Sequence, residues 1–352
     1  MTGILSHAVT FVRRPSPNAD LPFGAADLRW VTNTSTLIFG KSDAILVDTF
    51  MTLDENRTLI DWFASFGRNL RYVYVTHGHV DHYYGVHQIL ESFPNARAIS
   101  NPESAARARE DSSPERVQSQ WNVMFPGQMD QNPTSPEPFD ADHLDLEGHR
   151  IQFIQTGFTD TQDSSAIWVP DLRLVVAGDA AYNNIHQWTA ETTAESREEW
   201  ARAAEELAKL NPVHVVAGHK DPGRDDSPQI LAETAQYLRD FNSAATHSST
   251  ALELYTAMLE RYPAARQPRS PMGRSTSCKA LREALVQTRI DSRSLFGESV
   301  PVLHFVGSSK QILSSADIKQ LSGRDRCGSV RYRLSDGTRS ARSRRRQRAR
   351  SR

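Results

Sequence analysis

The segment Thr76-His77-Gly78-His79-Val80-Asp81-His82 constrains this chain more than any other stretch of it. It follows directly on residues 71–76 (RYVYVT), whose apolar alternation predicts a β-strand. Three imidazoles and a carboxylate at the end of such a strand are a poor choice for packing, because buried polar groups need partners. Imidazole and carboxylate are, however, good ligands for zinc, iron and manganese. A turn at this point lets His77 and His79 face one ion while Asp81 and His82 face a neighbour.

Two further strand ends carry the same signal. Gly178-Asp179 follows the apolar run 174–177, and Gly218-His219 follows 213–217. In an open α/β sheet, residues at strand ends line the functional edge, so Asp179 and His219 join the candidate ligands. No GxSxG elbow is present, and the two cysteines, Cys278 and Cys327, lie far from these segments. Covalent serine or thiol catalysis is thereby disfavoured.

The rest of the pattern is that of an α/β protein. Apolar pairs at 37–39 and 44–47 flank a turn at 40–43, and Leu59, Trp62, Phe63 and Phe66 mark a helix from Asp54 that stops at Gly67. Helices are expected over 86–93, 194–210, 228–241 and 251–262, and strands over 96–100, 151–154, 165–169, 174–177 and 213–217. The proline-rich stretch 111–143 reads as a long surface loop with at most one helix near 116–121, of a length common in lids. This divides the chain into an N-terminal extension (1–27), a catalytic domain (28–262) and a weakly structured, Ser/Arg-rich region (263–352) ending in a disordered basic tail (331–352). That last region does not continue the pattern of the domain, as a shifted reading frame or an unspliced intron would produce.

Charge narrows the partners. The tail holds ten arginines against one acid, Asp336, so the other 330 residues carry a net charge of −10 within a total of −1. A nucleic-acid binder should carry its basic patch on the fold itself, so nucleic acid is not the expected partner; a small molecule is. Apolar runs are strand-sized, which excludes a membrane span. Two unpaired cysteines and the lack of an apolar h-region near Met1 lead to an expected cytoplasmic location.

The order HxHxDH, Gly-Asp and a strand-ending His resembles the metallo-β-lactamase superfamily, over roughly residues 28–262. The resemblance implies an αβ/βα four-layer sandwich with a metal site at one edge of two mixed sheets. It implies one or two zinc ions per chain, with iron or manganese as alternatives. His77, His79 and Asp179 would serve the first ion, and Asp81, His82, His219 and the shared Asp179 the second. Asp48 falls where such proteins keep a buried acid that orients the metal-binding loop. Asp81 is also the candidate catalytic residue, able to orient the nucleophile or pass a proton to the leaving group. Aromatic residues near the ligands, Tyr83, Tyr84, Phe158, Tyr182 and Trp188, are candidates for the substrate pocket, whereas His87 and His186 read as structural.

One position departs from the family. Where relatives present Gly-His-Thr, this chain has Gly157-Phe158-Thr159, and phenylalanine cannot ligate a metal. Three outcomes follow: a single ion in the second site, a substitute ligand from Asp160 or His149, or an impaired relic. The implied activity is metal-dependent hydrolysis of a lactam, lactone, ester or thioester, as in xenobiotic or secondary-metabolite breakdown. The alternatives are an iron-dependent oxidoreductase of the same fold, a nucleic-acid-processing enzyme, and a catalytically impaired relic.

Overall fold

Alternating side chains along each strand sort the interior into three layers. The computed structural model describes residues 4–14 and 31–265. The expectations for 266–352 lie outside the described residues, as do those for most of 1–27. In chain order the strands are β1 (Ser6–Val12), β2 (Asn33–Phe39), β3 (Asp43–Val47), β4 (Asn69–Tyr74), β5 (Arg97–Ser100), β6 (Glu137–Pro138), β7 (His143–Leu146), β8 (His149–Gly157), β9 (Ser164–Val169), β10 (Leu174–Asn183) and β11 (His214–Lys220). The helices are α1 (Leu53–Ala64), α2 (Val80–Tyr83), α3 (Val86–Ser92), α4 (Pro102–Asp111), the single turns α5 (Pro114–Arg116) and α6 (Asn122–Met124), then α7 (Ala194–Ala208), α8 (Gln229–His247) and α9 (Ala251–Arg261).

On β2, β3 and β4 one face (Leu37, Ala44, Leu46, Val73) packs with Leu59 and Phe63 of α1 and Val86 and Ile89 of α3. The opposite face (Ile38, Ile45, Val47, Tyr74) meets Phe153, Ile167, Leu174, Val176 and Val216 from the other half of the sheet. The far side of that half (Ala166, Val175, Ala177, Val215) is covered by Ala204 and Leu207 of α7 and by Ile230 and Leu231 of α8. Helices, sheet, sheet and helices follow one another, which is the expected αβ/βα sandwich. No described helix is long and apolar enough to cross a membrane.

The strands form one curled path, β6-β5-β4-β3-β2-β11-β10-β9-β8-β7, with β1 on β2. The two halves join at a single antiparallel pair, His219 opposite Asn33. This seam matters for function, because it brings the carboxyl ends of β3, β4 and β11 together with the middle of β10, which runs on to Asn183 past the 174–177 run read from the sequence.

Three features differ from the sequence reading. Strand β1 lies upstream of the 28–262 domain, yet it pairs with the whole length of β2. Helix α4 shows no apolar periodicity; its signals are capping ones, with the Asn101 side chain accepting from Ser104 N and Pro102 in the first turn. The 111–143 stretch is anchored rather than loose, since Val117, Trp121, Phe125 and Met129 are buried in the first layer.

Candidate metal centre

The HxHxDH loop is held from below by Asp48. This residue ends β3 in the left-handed region (φ 60°). Its Oδ1 accepts from Thr76 N (2.8 Å), and its Oδ2 accepts from Thr76 Oγ1 (2.8 Å) and from His82 Nδ1 (2.9 Å). The carboxylate can only accept here, so His82 carries its proton on Nδ1 and turns Nε2 into the site. His77 Nδ1 lies 3.0 Å from Thr76 Oγ1; since that hydroxyl already donates to Asp48, His77 donates to it and also presents Nε2. His219 Nδ1 lies 3.3 Å from the Thr32 carbonyl, which again leaves Nε2 as the inward lone pair.

Asp179 reaches the same place from a β-bulge. Pairing of β10 with β11 slips between Gly178 and Tyr182, so the extra residues of β10 turn Asp179 inward. Glycine is required on both sides of it. Gly178 has φ +52°, and a Cβ on Gly218 would stand 2.0 Å from Asp179 Oδ1. Asp179 Oδ2 accepts from Tyr182 Oη (2.7 Å) and lies 3.0 Å from His219 Nε2, while Oδ1 lies 3.4 Å from His82 Nε2. Asp81 is fixed by Asn33, whose Nδ2 donates to its Oδ2 (2.9 Å). Arg14 in turn donates to Asn33 Oδ1 (3.0 Å) and pairs with Glu55 (3.0 Å).

Asp160, in the turn between β8 and β9, enters the first half of the site. Its Oδ2 stands 2.8 Å from His79 Nδ1 and 3.8 Å from His77 Nε2. The far nitrogen of His79 meets Glu191 Oε1 at 3.1 Å, and Glu191 also accepts from Thr161 Oγ1 (3.0 Å) and faces Arg107 Nη2 (3.5 Å). His149, the other candidate substitute, pairs with Asp171 instead.

Three donor groups result: His77, His82 and Asp179; His77, His79 and Asp160; Asp81, His82 and His219. Within each, the ligand atoms lie within 4.8 Å of one another. His82 Nε2, Asp179 Oδ1 and Asp160 Oδ2 are buried and have no hydrogen-bond partner among the described residues. Imidazole nitrogens and carboxylate oxygens that face each other across about 3 Å need a positive charge between them, a proton or a metal ion. These residues therefore fit one or two divalent ions.

Without an ion, protons take up part of this charge balance. Burial, followed by the charge of His82, pushes His77 down to about 4. Burial opposes charge on His82 as well, but Asp179, Asp48 and Asp81 outweigh it and lift His82 to about 10. Burial alone would raise Asp81 and Asp160; His82 and His219 hold the first, and His79 and His77 the second, below the ordinary carboxylate range. Burial opposes a charge on His79 too, yet Asp160 and Glu191 raise it well above its usual value. A proton and a metal ion thus compete for one gap, between His79 Nδ1 and Asp160 Oδ2. Burial and Asp179 push Tyr182 well up, so its hydroxyl keeps its proton and donates.

The structure gathers His77, His79, Asp81, His82, Asp179, His219 and Asp48 in one place. Of the aromatic set it brings Tyr182 to the same place. Tyr83 and Tyr84 are 0% and 1% exposed and pack in the α1/α3 layer, because the helical turn after His82 aims them inward; this takes both out of the pocket. Tyr182 serves as the donor to Asp179, Trp188 packs between two core clusters, and Phe158 is half-buried at the turn. Asn33, Arg14, Arg107 and Glu191 were not singled out by the sequence, since each is isolated in its own segment and meets the site only through the fold.

The two histidines that the sequence reading set apart from the ligands, His87 and His186, have partners of their own. His87 pairs with Asp130 (2.7 Å), and His186 meets Tyr237 Oη at 2.9 Å in the interior. Burial holds His186 down at about 4, against an unfolded value of about 6.5. Between these two values the unfolded chain binds the extra proton. The contribution is therefore full above pH 6.5 and is lost as pH falls towards 4, on the order of 3 kcal/mol. His186→Gln is expected to flatten this acid limb relative to the parent in urea titrations at pH 4 to 7. An unchanged slope would refute the assignment.

Fold and donor set together define a metal-binding α/β protein built at the seam of a curled sheet. A sequence profile of the Metallo-beta-lactamase superfamily matches residues 28–219, more than half of the chain, and the chain belongs to that superfamily. Over 66 residues it is 35% identical to hydroxyacylglutathione hydrolase 1 of Vibrio vulnificus (strain YJ016). That stretch is 19% of this chain and only 25% of the relative. A solved metallo-beta-lactamase family protein from Thermus thermophilus shares 20% identity at a TM-score of 0.52, covering 73% of this chain and 89% of that one. The DIM-1 metallo-beta-lactamase shares 16% at a TM-score of 0.50, covering 68% and 98%. At such identities the likeness is one of fold.

Proposed function

We propose that this protein is a metal-dependent hydrolase of a small carbonyl compound, a lactam, lactone, ester or thioester, with two divalent ions, zinc in the simplest case, in the seam site. The observation that carries the reading is the convergence of buried imidazole and carboxylate lone pairs without hydrogen-bond partners. His77 and His79 would hold one ion, Asp81, His82 and His219 the other, with Asp179 between them. When bound, such an ion lowers the pKa of a water molecule to about 7 and polarises a carbonyl.

The chain's own groups supply orientation and proton handling. Asn33, backed by Arg14 and Glu55, fixes Asp81 Oδ2 and leaves Oδ1 to orient the attacking water or to carry its proton to the leaving group. Tyr182 holds Asp179 by its hydroxyl, and Asp48 holds His82 in the tautomer that offers Nε2. The name of the Vibrio relative points to a thioester, so hydroxyacyl thioesters belong in the first substrate panel alongside lactones and lactams. A cytoplasmic role in xenobiotic or secondary-metabolite breakdown is part of the same proposal. The second reading, an iron-dependent oxidoreductase, is favoured by the pairing of two histidines with one terminal carboxylate at Asp81, His82 and His219.

The deciding measurement is metal content of protein purified without chelator, followed by the substrate panel. About two ions per chain are expected, with turnover of at least one carbonyl class that chelation abolishes and added zinc or manganese restores. A chain with two ions that hydrolyses none of the classes but consumes dioxygen would transfer the assignment to the redox reading. A chain that takes up no metal would refute both.

A further inference from the structure

We propose that Asp160 is the terminal protein ligand of the first pocket, in place of the imidazole that Phe158 cannot supply, and that it biases this pocket towards harder divalent ions than an all-imidazole pocket would take. The inference rests on the metal centre proposed above and goes on to the kind of ion it selects.

The geometry is specific to Asp160. Its side chain is buried, Oδ1 accepts from Thr159 Oγ1 (3.0 Å), and Oδ2 is turned to within 2.8 Å of His79 Nδ1. The turn that aims it is braced by Thr159 N donating to the Thr161 carbonyl (2.8 Å) and by Thr159 Oγ1 at 2.8 Å from Ser164 Oγ. Glu191 occupies the outer nitrogen of His79, so Nδ1 is the atom left for an ion. Apart from His79 Nδ1, Oδ2 has no polar neighbour within hydrogen-bond reach and no solvent, so a proton on His79 or an ion between the two groups must balance this buried carboxylate.

The two pockets then match. Each holds two imidazoles and one terminal carboxylate, His77, His79 and Asp160 in one and His82, His219 and Asp81 in the other, with Asp179 shared. Three carboxylates would face two divalent ions. Exchanging a neutral nitrogen donor for an anionic oxygen favours ions that prefer oxygen, such as manganese(II) and iron(II). Zinc still binds more tightly in absolute terms, following the general order for divalent ions, so the bias shows in the zinc-to-manganese affinity ratio.

The test uses the full chain, stripped with chelator and equilibrated with buffered zinc or manganese, with bound ions counted by elemental mass spectrometry. The parent is expected to bind two ions. Asp160→Asn should keep one ion in the second pocket, which also reports that it is folded, and should lose affinity in the first by at least about 100-fold. That figure exceeds the roughly 10–100-fold cost of losing an outer partner of a ligand. Asp160→His should bind two ions with a first-pocket zinc-to-manganese ratio at least about 10-fold above the parent's. An Asp160→Asn chain that keeps both ions at parental affinity overturns the ligand assignment. An Asp160→His chain with an unchanged ratio, or with no zinc in its first pocket, overturns the bias. A parent that binds no metal refutes the underlying metal centre instead, so the two failures are distinct.

Discussion

Asp48→Ala is expected to lower the unfolding free energy of the chelator-treated chain by about 3–5 kcal/mol, among the largest effects available at one position. Three donors depend on this carboxylate: Thr76 N, Thr76 Oγ1 and His82 Nδ1. All are buried, and a buried donor left without an acceptor costs about 1–3 kcal/mol. Alanine must also adopt the φ of 60° that Asp48 holds, at about 1–2 kcal/mol. Asp48→Asn keeps one acceptor oxygen and should lose about half as much. Because His82 loses its anchor, both variants should also bind metal more weakly in the second pocket. Urea titration of both variants is the check, and an alanine variant within about 1 kcal/mol of the parent would show that water replaces the carboxylate.

Asp179→Ala should behave in the opposite way. It is expected to weaken metal binding in both pockets by more than about 100-fold and to abolish hydrolysis, while the metal-free chain changes by no more than about 1–2 kcal/mol. The reason lies in its surroundings. Asp179 has one hydrogen bond, from Tyr182, and otherwise faces His82 and His219; once it is removed His82 can give up the proton that Asp179 favours, so few buried donors are left without a partner. Calorimetric metal titration beside a melting curve separates the two readouts. A variant that still holds two ions tightly would remove Asp179 from the bridging position. Together the two aspartates distinguish a residue that builds the site from one that serves the ion.

Legibility followed the range of the contacts. The hairpin of β2 and β3, the helices after 53 and 194, β4 and β11, and the first half of β10 were all readable, since each depends on local periodicity and turn residues; that β10 continues past Asp179 to Asn183 was not. Strand β1 and helix α4 were not. The first is stabilised by pairing with a strand more than twenty residues away, and the second by capping and by small alanines that leave no apolar stripe. Tyr83 and Tyr84 were placed near the ligands by their numbers, but one helical turn is enough to carry them into the core.

The sequence by itself determined the superfamily fold and the donors whose positions are local: His77, His79, Asp81 and His82 on one loop, and Asp179 and His219 each just after an apolar run. Only the tertiary structure decided what completes them. It set Asp160 beside His79 while pairing His149 with Asp171, set Glu191 behind His79 across 112 residues, and backed Asp81 with Asn33 and Arg14. The physical reason is that a ligand motif is written in neighbouring residues, whereas hydrogen bonds that orient ligands are made by whichever distant side chain the curled sheet brings within about 3 Å.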